Sequence, residues 1–398
     1  MNKGTAAEVA SDCRRAADRL YNYLIGHHIG KDGAVTGPDF GVRLNLRVGR
    51  FIKSYLRFLP WSDTYYYTQG QTYWILDNLE LHKLTGMLKR VQHDTGASVY
   101  LENAVKCCDT MLARQTPEGY WEFPNNEWEG VIATVETCFG GLGLLAVYEA
   151  TRDERYLSAA KRTYDYIIRE TGFQSYDEDS LAVNYFSNRV RGLVPNNSTL
   201  AVWFCAALSR ATGDPKYLDQ YCAPMINFLI RCQLESGELP YSIGSDQYKG
   251  RDHYQCFQYN SFQFMDLVEY HRITNDAGVL PMMSKLAEFL SQGLTAEGNI
   301  RADCASDWPV RHYCTAAISA ALARATQEGC GDYADIAARG FAKLMSWQRK
   351  DGGFGFSVRD YRFLSDQRSY PRVMCMALRH LLIGSELGAS KPGEVANA

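Results

Sequence analysis

The sequence predicts an all-α fold, an (α/α)6 toroid in which six helical hairpins close into a ring and the long loops gather at one rim. Three observations lead there. One kind of segment recurs along the chain: a polar or aromatic cluster, an apolar helix rich in small residues, then a short turn. Between the copies lie helices of a second kind, with apolar residues at i, i+3, i+4 and i+7 and charges on the opposite face. The connections also alternate, short after each apolar helix and long before it.

The apolar helices are expected on the inside of the ring, at 72–86, 138–153, 199–214, 262–276, 315–326 and 373–382. Each follows its own cluster: Tyr67 to Gln71, Thr134 to Thr137, Asn196 to Ser198, Gln258 to Ser261, Arg311 to Cys314, and Arg368 to Arg372. The repeat of roughly 50 to 65 residues suits helical hairpins or slightly exceeds them. The amphipathic helices at 7–25, 100–115, 155–170, 217–233, 282–292 and 333–348 complete the set of six outer partners. Thr85-Gly86, Thr151-Arg152-Asp153, Thr212-Gly213-Asp214-Pro215 and Thr274-Asn275-Asp276 supply helix stops and fresh N-caps between inner and outer helices.

Composition narrows the function classes. Residues are 46% apolar and 22% charged, as in globular chains. A net charge of −3 gives no field that would favour nucleic acid or an anionic membrane. The 12 cysteines contain no C-x-x-C, and Cys138, Cys205, Cys222, Cys232, Cys256 and Cys375 sit in apolar helical stretches as small hydrophobes. No leader-like apolar segment and no run of about 18 apolar residues occurs, so the reading is a reduced cytoplasmic protein without membrane insertion. One toroid is expected over 1–387, with 388–398 as a disordered tail.

Certain joints between repeats are distinctive. Gln115-Thr-Pro-Glu-Gly119-Tyr-Trp121 and Gln348-Arg-Lys-Asp-Gly352-Gly-Phe354 fit a Q-x3-G-x-aromatic pattern, and Gln233 to Leu239 is a looser copy. These resemble the joints of triterpene cyclases, prenyltransferase β-subunits, unsaturated glucuronyl hydrolases and glucuronyl C5-epimerases. The resemblance spans about residue 8 to 387 and implies the toroid architecture, which hosts many chemistries. A triterpene cyclase would imply an Asp-x-Asp-Asp motif, which Tyr176-Asp177-Glu178-Asp179-Ser180 breaks. A prenyltransferase would imply a zinc-binding Asp, Cys and His. Asp303-Cys304 and His312 resemble these only in compressed form, and the reading is no metal and no cofactor.

The rim loops carry the functional expectation, since long loops on a rigid scaffold concentrate binding residues. Inner-helix N-termini pointing at that rim favour an anionic ligand. Expected substrate-binding residues are Arg43, Asn45, Tyr67, Gln71, Trp121, Trp128, Asn197, Trp308, Arg311, Arg368 and Arg372. Aromatic platforms stack on sugar rings, and guanidinium forks match a uronate carboxylate. Glu136 leads the catalytic candidates, because a carboxylate one turn into an apolar helix is desolvated and its pKa raised. His253, Tyr254, Tyr259, His312, Asp366 and Tyr370 complete the set. The mixture suits an enzyme acting on a uronate-containing oligosaccharide, by C5 proton abstraction (epimerase or lyase) or by hydrolysis with Asp366 or Asp179 beside Glu136. A terpenoid-processing toroid and a non-catalytic saccharide-binding toroid are the alternatives.

Overall fold

The structure is a computed structural model and describes residues 5–40, 52, 55–56, 64–88, 96–124, 130–187, 192–244, 248–361 and 364–388. Arg43, Asn45, Trp128 and the tail at 389–398 lie outside the described residues.

The inner helices are α2 (Thr68–Leu88), α4 (Thr134–Thr151), α6 (Pro195–Thr212), α8 (Cys256–Thr274), α10 (His312–Gln327) and α12 (Pro371–Gly384). The outer helices are α1 (Ala6–His27), α3 (Gly96–Ala113), α5 (Glu154–Tyr166), α7 (Cys222–Cys232), α9 (Leu280–Ser291) and α11 (Ala334–Met345). Every inner helix packs on the next, and α12 packs on α2, so the inner ring is closed. Five outer helices cover the inner helix that precedes them. The sixth, α1, reaches across from the chain's start to cover α12 and also touches α11.

Local chemistry explains these boundaries. Thr5 and Glu8 form a capping box at the start of α1, with the Thr5 N–H donating to Glu8 at 2.7 Å. Gly213 ends α6 at φ 69°, and the Asp214 side chain then accepts from the Lys216 N–H at 3.0 Å. Inner helices approach closely because they are poor in large residues where they cross. A Cβ on Gly141 of α4 would lie 2.4 Å from the Phe204 ring of α6.

Two features depart from the sequence reading. Much of each polar cluster sits inside the first turns of the inner helix, and some of these side chains are tied to the rim loops. Gln71 brackets Val35, accepting from its N–H at 2.7 Å and donating to its carbonyl at 2.6 Å. Asn260 does the same to Leu239, at 2.8 and 3.1 Å. The loops also hold strands that the helical periodicity did not foretell: an antiparallel hairpin of β1 (Phe173–Asp177) and β2 (Ser180–Val183), and a sheet of β3 (Val310–Arg311), β4 (Ser357–Tyr361) and β5 (Leu364–Asp366). β3 leads directly into α10, so this sheet fixes where Arg311 leaves the loop.

The joints act as clamps. The side-chain amide of Gln348 donates to Gly352 O at 2.8 Å and to Ala16 O of α1 at 2.9 Å. Gln233 repeats this with Gly237 and Met282, and Gln115 with Gly119 and Ala159. All 12 cysteines are free thiols, and Cys304 alone is exposed. Among the described residues no helix is long and apolar enough to cross a membrane.

Candidate active site

At the rim the loops and the first turns of the inner helices enclose a cavity of about 460 Å³, within the range of small-molecule sites. Phe40, Phe123, Tyr185, Phe186 and Tyr254 reach it from four loops; Glu136, Tyr259, Asp266, Tyr313 and Arg372 come from inner helices. Loops from around the ring therefore share one rim, as the alternation of connections implied.

Glu136 sits in the first turn of α4 and is 2% exposed. Its Oε2 accepts from the Thr68 N–H at 2.7 Å and more weakly from the Gln69 N–H at 3.4 Å, at the positive end of α2. Burial pushes its carboxyl above the usual range, while Arg372 and these N–H bonds pull it back. The net direction is upward, which makes Glu136 a better proton acceptor than an ordinary glutamate.

Two guanidiniums face the same cavity and differ in kind. Arg372 is committed: it grips Asp39 in a two-pronged pair at 2.7 and 2.9 Å and donates to Gln69 Oε1 at 2.9 Å. It also lies over Tyr67 and Phe40, at 4.4 and 5.0 Å from the ring centres. Arg311 forms no ion pair among the described residues. Its Nη1 donates to Gln255 Oε1 at 3.2 Å, and its buried Nε has no hydrogen-bond partner. A guanidinium with a spare buried donor suits an anion, and Asp360 already lends negative potential to this one.

Tyr254 and Tyr259 stand with Tyr241 in an aromatic cluster, their centroids 4.8 and 5.0 Å from that of Tyr241. Burial, reinforced by the neighbouring tyrosines, holds the Tyr259 phenol protonated.

The cavity also contains a carboxyl that the rim-centred sequence reading passed over. Asp266, in α8, accepts from Thr199 Oγ1 at 2.9 Å. Burial raises its pKa well above the ordinary carboxylate range, and the Thr199 hydroxyl offsets this only in part. Its signal was present: a lone acid inside the apolar stretch Phe262–Val268, the same signature that singled out Glu136.

Several other expected site residues lie away from this cavity. Trp121 is 2% exposed and spends its indole N–H on Met111 O, at 2.9 Å. Gln71 is absorbed in its bracket on Val35. Asn197 is fully buried beside Asn196, which does line the cavity. Asp366, Arg368 and Tyr370 close on one another: the Tyr370 hydroxyl donates to Asp366 Oδ2 at 2.7 Å, and Arg368 bonds Tyr370. This leaves Asp366 outside the cavity lining, and Asp179 lies on the surface near Arg231. The hydrolytic partners read from sequence are therefore not assembled with Glu136. His312 stacks on Phe354 at 5.2 Å, and burial pushes its pKa down to about 4. It does not join Asp303 and Cys304. His253 turns outward to Glu238, at 2.7 Å. Trp308 is exposed and is not in the lining.

No family model and no curated protein matches this sequence. Solved structures match it over nearly its whole length. A cellobiose 2-epimerase from Bacillus thermoamylovorans superposes with a TM-score of 0.67 at 12% identity, covering 93% of this chain and 98% of that one. The chain is an (α/α)6 toroid. A family 76 α-mannanase from Bacteroides thetaiotaomicron aligns at 0.64 and 11%, over 94% and 95% of the two chains. A type II terpene cyclase from Scytonema aligns at 0.56 and 11%, over 96% and 99%. At such identities the likeness concerns the toroid's fold alone, and its chemistry has to be argued from the cavity.

Proposed function

We propose that this toroid is an enzyme acting on an anionic, uronate-containing saccharide, by abstraction of the proton at C5. The observation that carries the reading is Arg311, a guanidinium without a carboxylate partner among the described residues, in the same cavity as the desolvated Glu136.

In this reading Arg311 takes the uronate carboxylate, and the rings of Tyr67 and Tyr254 flank the sugar. Glu136 removes the C5 proton: the C–H bond breaks, an O–H bond forms on Glu136, and the electron pair moves into the carboxylate as an enolate. Arg311 stabilises the charge that grows there. Tyr259 or Tyr254 returns a proton to the opposite face to give the epimer. Expulsion of the C4 oxygen substituent instead gives the unsaturated uronate. Sugar epimerases, glycosidases, a polysaccharide lyase and a type II terpene cyclase are among the solved structures similar to this chain, which supports a catalytic cavity here.

The test is titration calorimetry with a uronate disaccharide and with the same disaccharide after reduction of its carboxylate to the alcohol. Wild type should prefer the acid at least tenfold, or about 1.4 kcal/mol. Arg311→Gln should remove that preference while the affinity for the alcohol stays within about twofold. Equal binding of both sugars by wild type rejects the uronate reading.

A second reading rests on Asp266. A carboxyl whose pKa burial raises, among Phe139, Phe262 and Tyr73, is placed to protonate an alkene, as acid-initiated terpenoid cyclisation requires. The nearby Glu136 and Arg311 weigh against it, because such a carbocation cavity has no use for a spare anion receptor. Turnover of a polyene by wild type, lost in Asp266→Asn and kept in Arg311→Gln, would favour this second reading.

A further inference from the structure

Behind the cavity wall, the loop entering α8 and the loop entering α10 meet at a cluster that the proposed reaction leaves unused. Glu238, Cys256 and Cys304 each offer one ligand atom, and these atoms all lie within 4.8 Å of one another. The two Sγ atoms are 3.4 Å apart. Two thiolates bound tetrahedrally to zinc, at ~2.3 Å each, stand about 3.8 Å from one another. The sulfurs therefore need to separate by only a few tenths of an ångström to hold such an ion.

The carboxylate is prepared in the same sense. Glu238 is 0% exposed; its Oε2 is engaged by His253 Nδ1 at 2.7 Å, and its Oε1 has no hydrogen-bond partner. A buried carboxylate oxygen left without a donor needs a cation or a proton. Its surroundings are acidic, because Asp252 and Asp303 both add negative potential at Glu238. Among the basic groups, Arg301 is turned to Asp307 at 3.0 Å, which leaves His253 on the carboxylate. Cys304 is exposed and gives an ion a way in from solvent.

We propose that Glu238, Cys256 and Cys304 bind a soft divalent cation of zinc's class, with a water in the fourth position. His253 holds Glu238 from behind, as ligating carboxylates are commonly held. This differs from the sequence reading, which assigned no metal and paired Asp303 and Cys304 with His312. The ion would staple two rim loops together. It would also anchor the residue next to Gln255, which keeps a left-handed φ of 46° and accepts from Arg311. The site is thus a support for the anion receptor and lies outside the reacting centre. It stands whether or not the substrate is a uronate.

The test uses the full chain, reduced and stripped with chelator, then titrated with Zn²⁺ against a chromophoric competitor and with Co²⁺. One tightly bound equivalent is expected, with a thiolate-to-cobalt charge-transfer band in the near ultraviolet. Cys304→Ser, at an exposed position and with its fold checked by circular dichroism, should weaken binding about a hundredfold and reduce the band. Glu238→Gln should weaken it similarly, and His253→Gln by ~10–100-fold. Substoichiometric uptake by the reduced wild type would overturn the proposal. So would uptake unchanged in Cys304→Ser, or a Cys256–Cys304 disulfide forming in a protein that takes up no metal when reduced.

Discussion

Glu136 and Asp266 sit alike, each a buried carboxyl on an inner helix among apolar neighbours, yet the cavity treats them differently. Glu136 has two backbone N–H donors and a nearby guanidinium to hold its charge. Asp266 has one hydroxyl donor, and burial pushes its pKa well above the ordinary range. If Glu136 is the base, the acid limb of kcat/KM should fall at a pH above the ordinary glutamate range, and Glu136→Gln should lower kcat by about 10²–10⁴. A limb in the ordinary glutamate range, or a fully active Gln variant, would remove Glu136 from the chemistry. For Asp266 the sign runs the other way from a salt-bridged acid. A raised folded-state pKa means its contribution to stability is complete below the unfolded pKa and lost as pH rises through the folded one. Asp266→Asn keeps the acceptor for Thr199 and removes the ionisation. It should melt higher than wild type at about pH 8, by ~2 °C, with the gap closing near pH 4. A gap that widens on acidification would contradict the assignment. At this scale the burial of Glu136 was legible, because an acid in an apolar helical segment is expected to be desolvated. Gln71, Trp121 and Tyr370 were not, since what decides their role is a partner such as Val35, Met111 or Asp366, and residue type does not reveal whether that partner is ligand or protein.

Among the elements, the joints were legible in full detail. A glutamine, a glycine three residues on from the next position, and an aromatic form one clamp because each part answers a separate need. The amide reaches two carbonyls, and the glycine lets the chain turn against the next outer helix. Gly352 has φ 90°, and a Cβ there would meet Arg19 O of α1 at 2.4 Å. Gln348→Ala loses two amide bonds and should cost about 2 kcal/mol, and Gly352→Ala should cost at least as much through strain. Urea unfolding monitored by tryptophan fluorescence measures both; a cost below about 0.5 kcal/mol for each would show that the clamp does not hold α1 in place. The strands were not legible. β1 and β2 pair with a register shift between Ser175 and Asp177, and β3 is two residues long. Strands that short carry too little alternation to register against helical periodicity; β1 and β2 form a local hairpin, while β3 meets β4 because the ring brings their loops together.

Over the whole molecule, closure makes the site. The toroid depends on α1 crossing to α12 and α11, contributing the buried Cys13, Ala16, Leu20 and Leu24 to the core. The count of six inner and six outer helices implied that return, although no local signal in 7–25 names its partner. Once the ring closes, loops distant in sequence deliver Arg311 and Tyr254 to the cavity that Glu136 lines from its inner helix. The rim was foreseeable from the alternation of long and short connections. Which rim residues face inward was not, because that depends on side-chain brackets between loops. Proton NMR of a uronate disaccharide incubated with the protein in D2O tests the proposed chemistry most directly. The expected result is loss of the C5 proton signal, or appearance of an unsaturated-uronate signal, with wild type and neither with Glu136→Gln. An unchanged spectrum with folded wild type across a panel of uronates, or the same loss with Glu136→Gln, would contradict it.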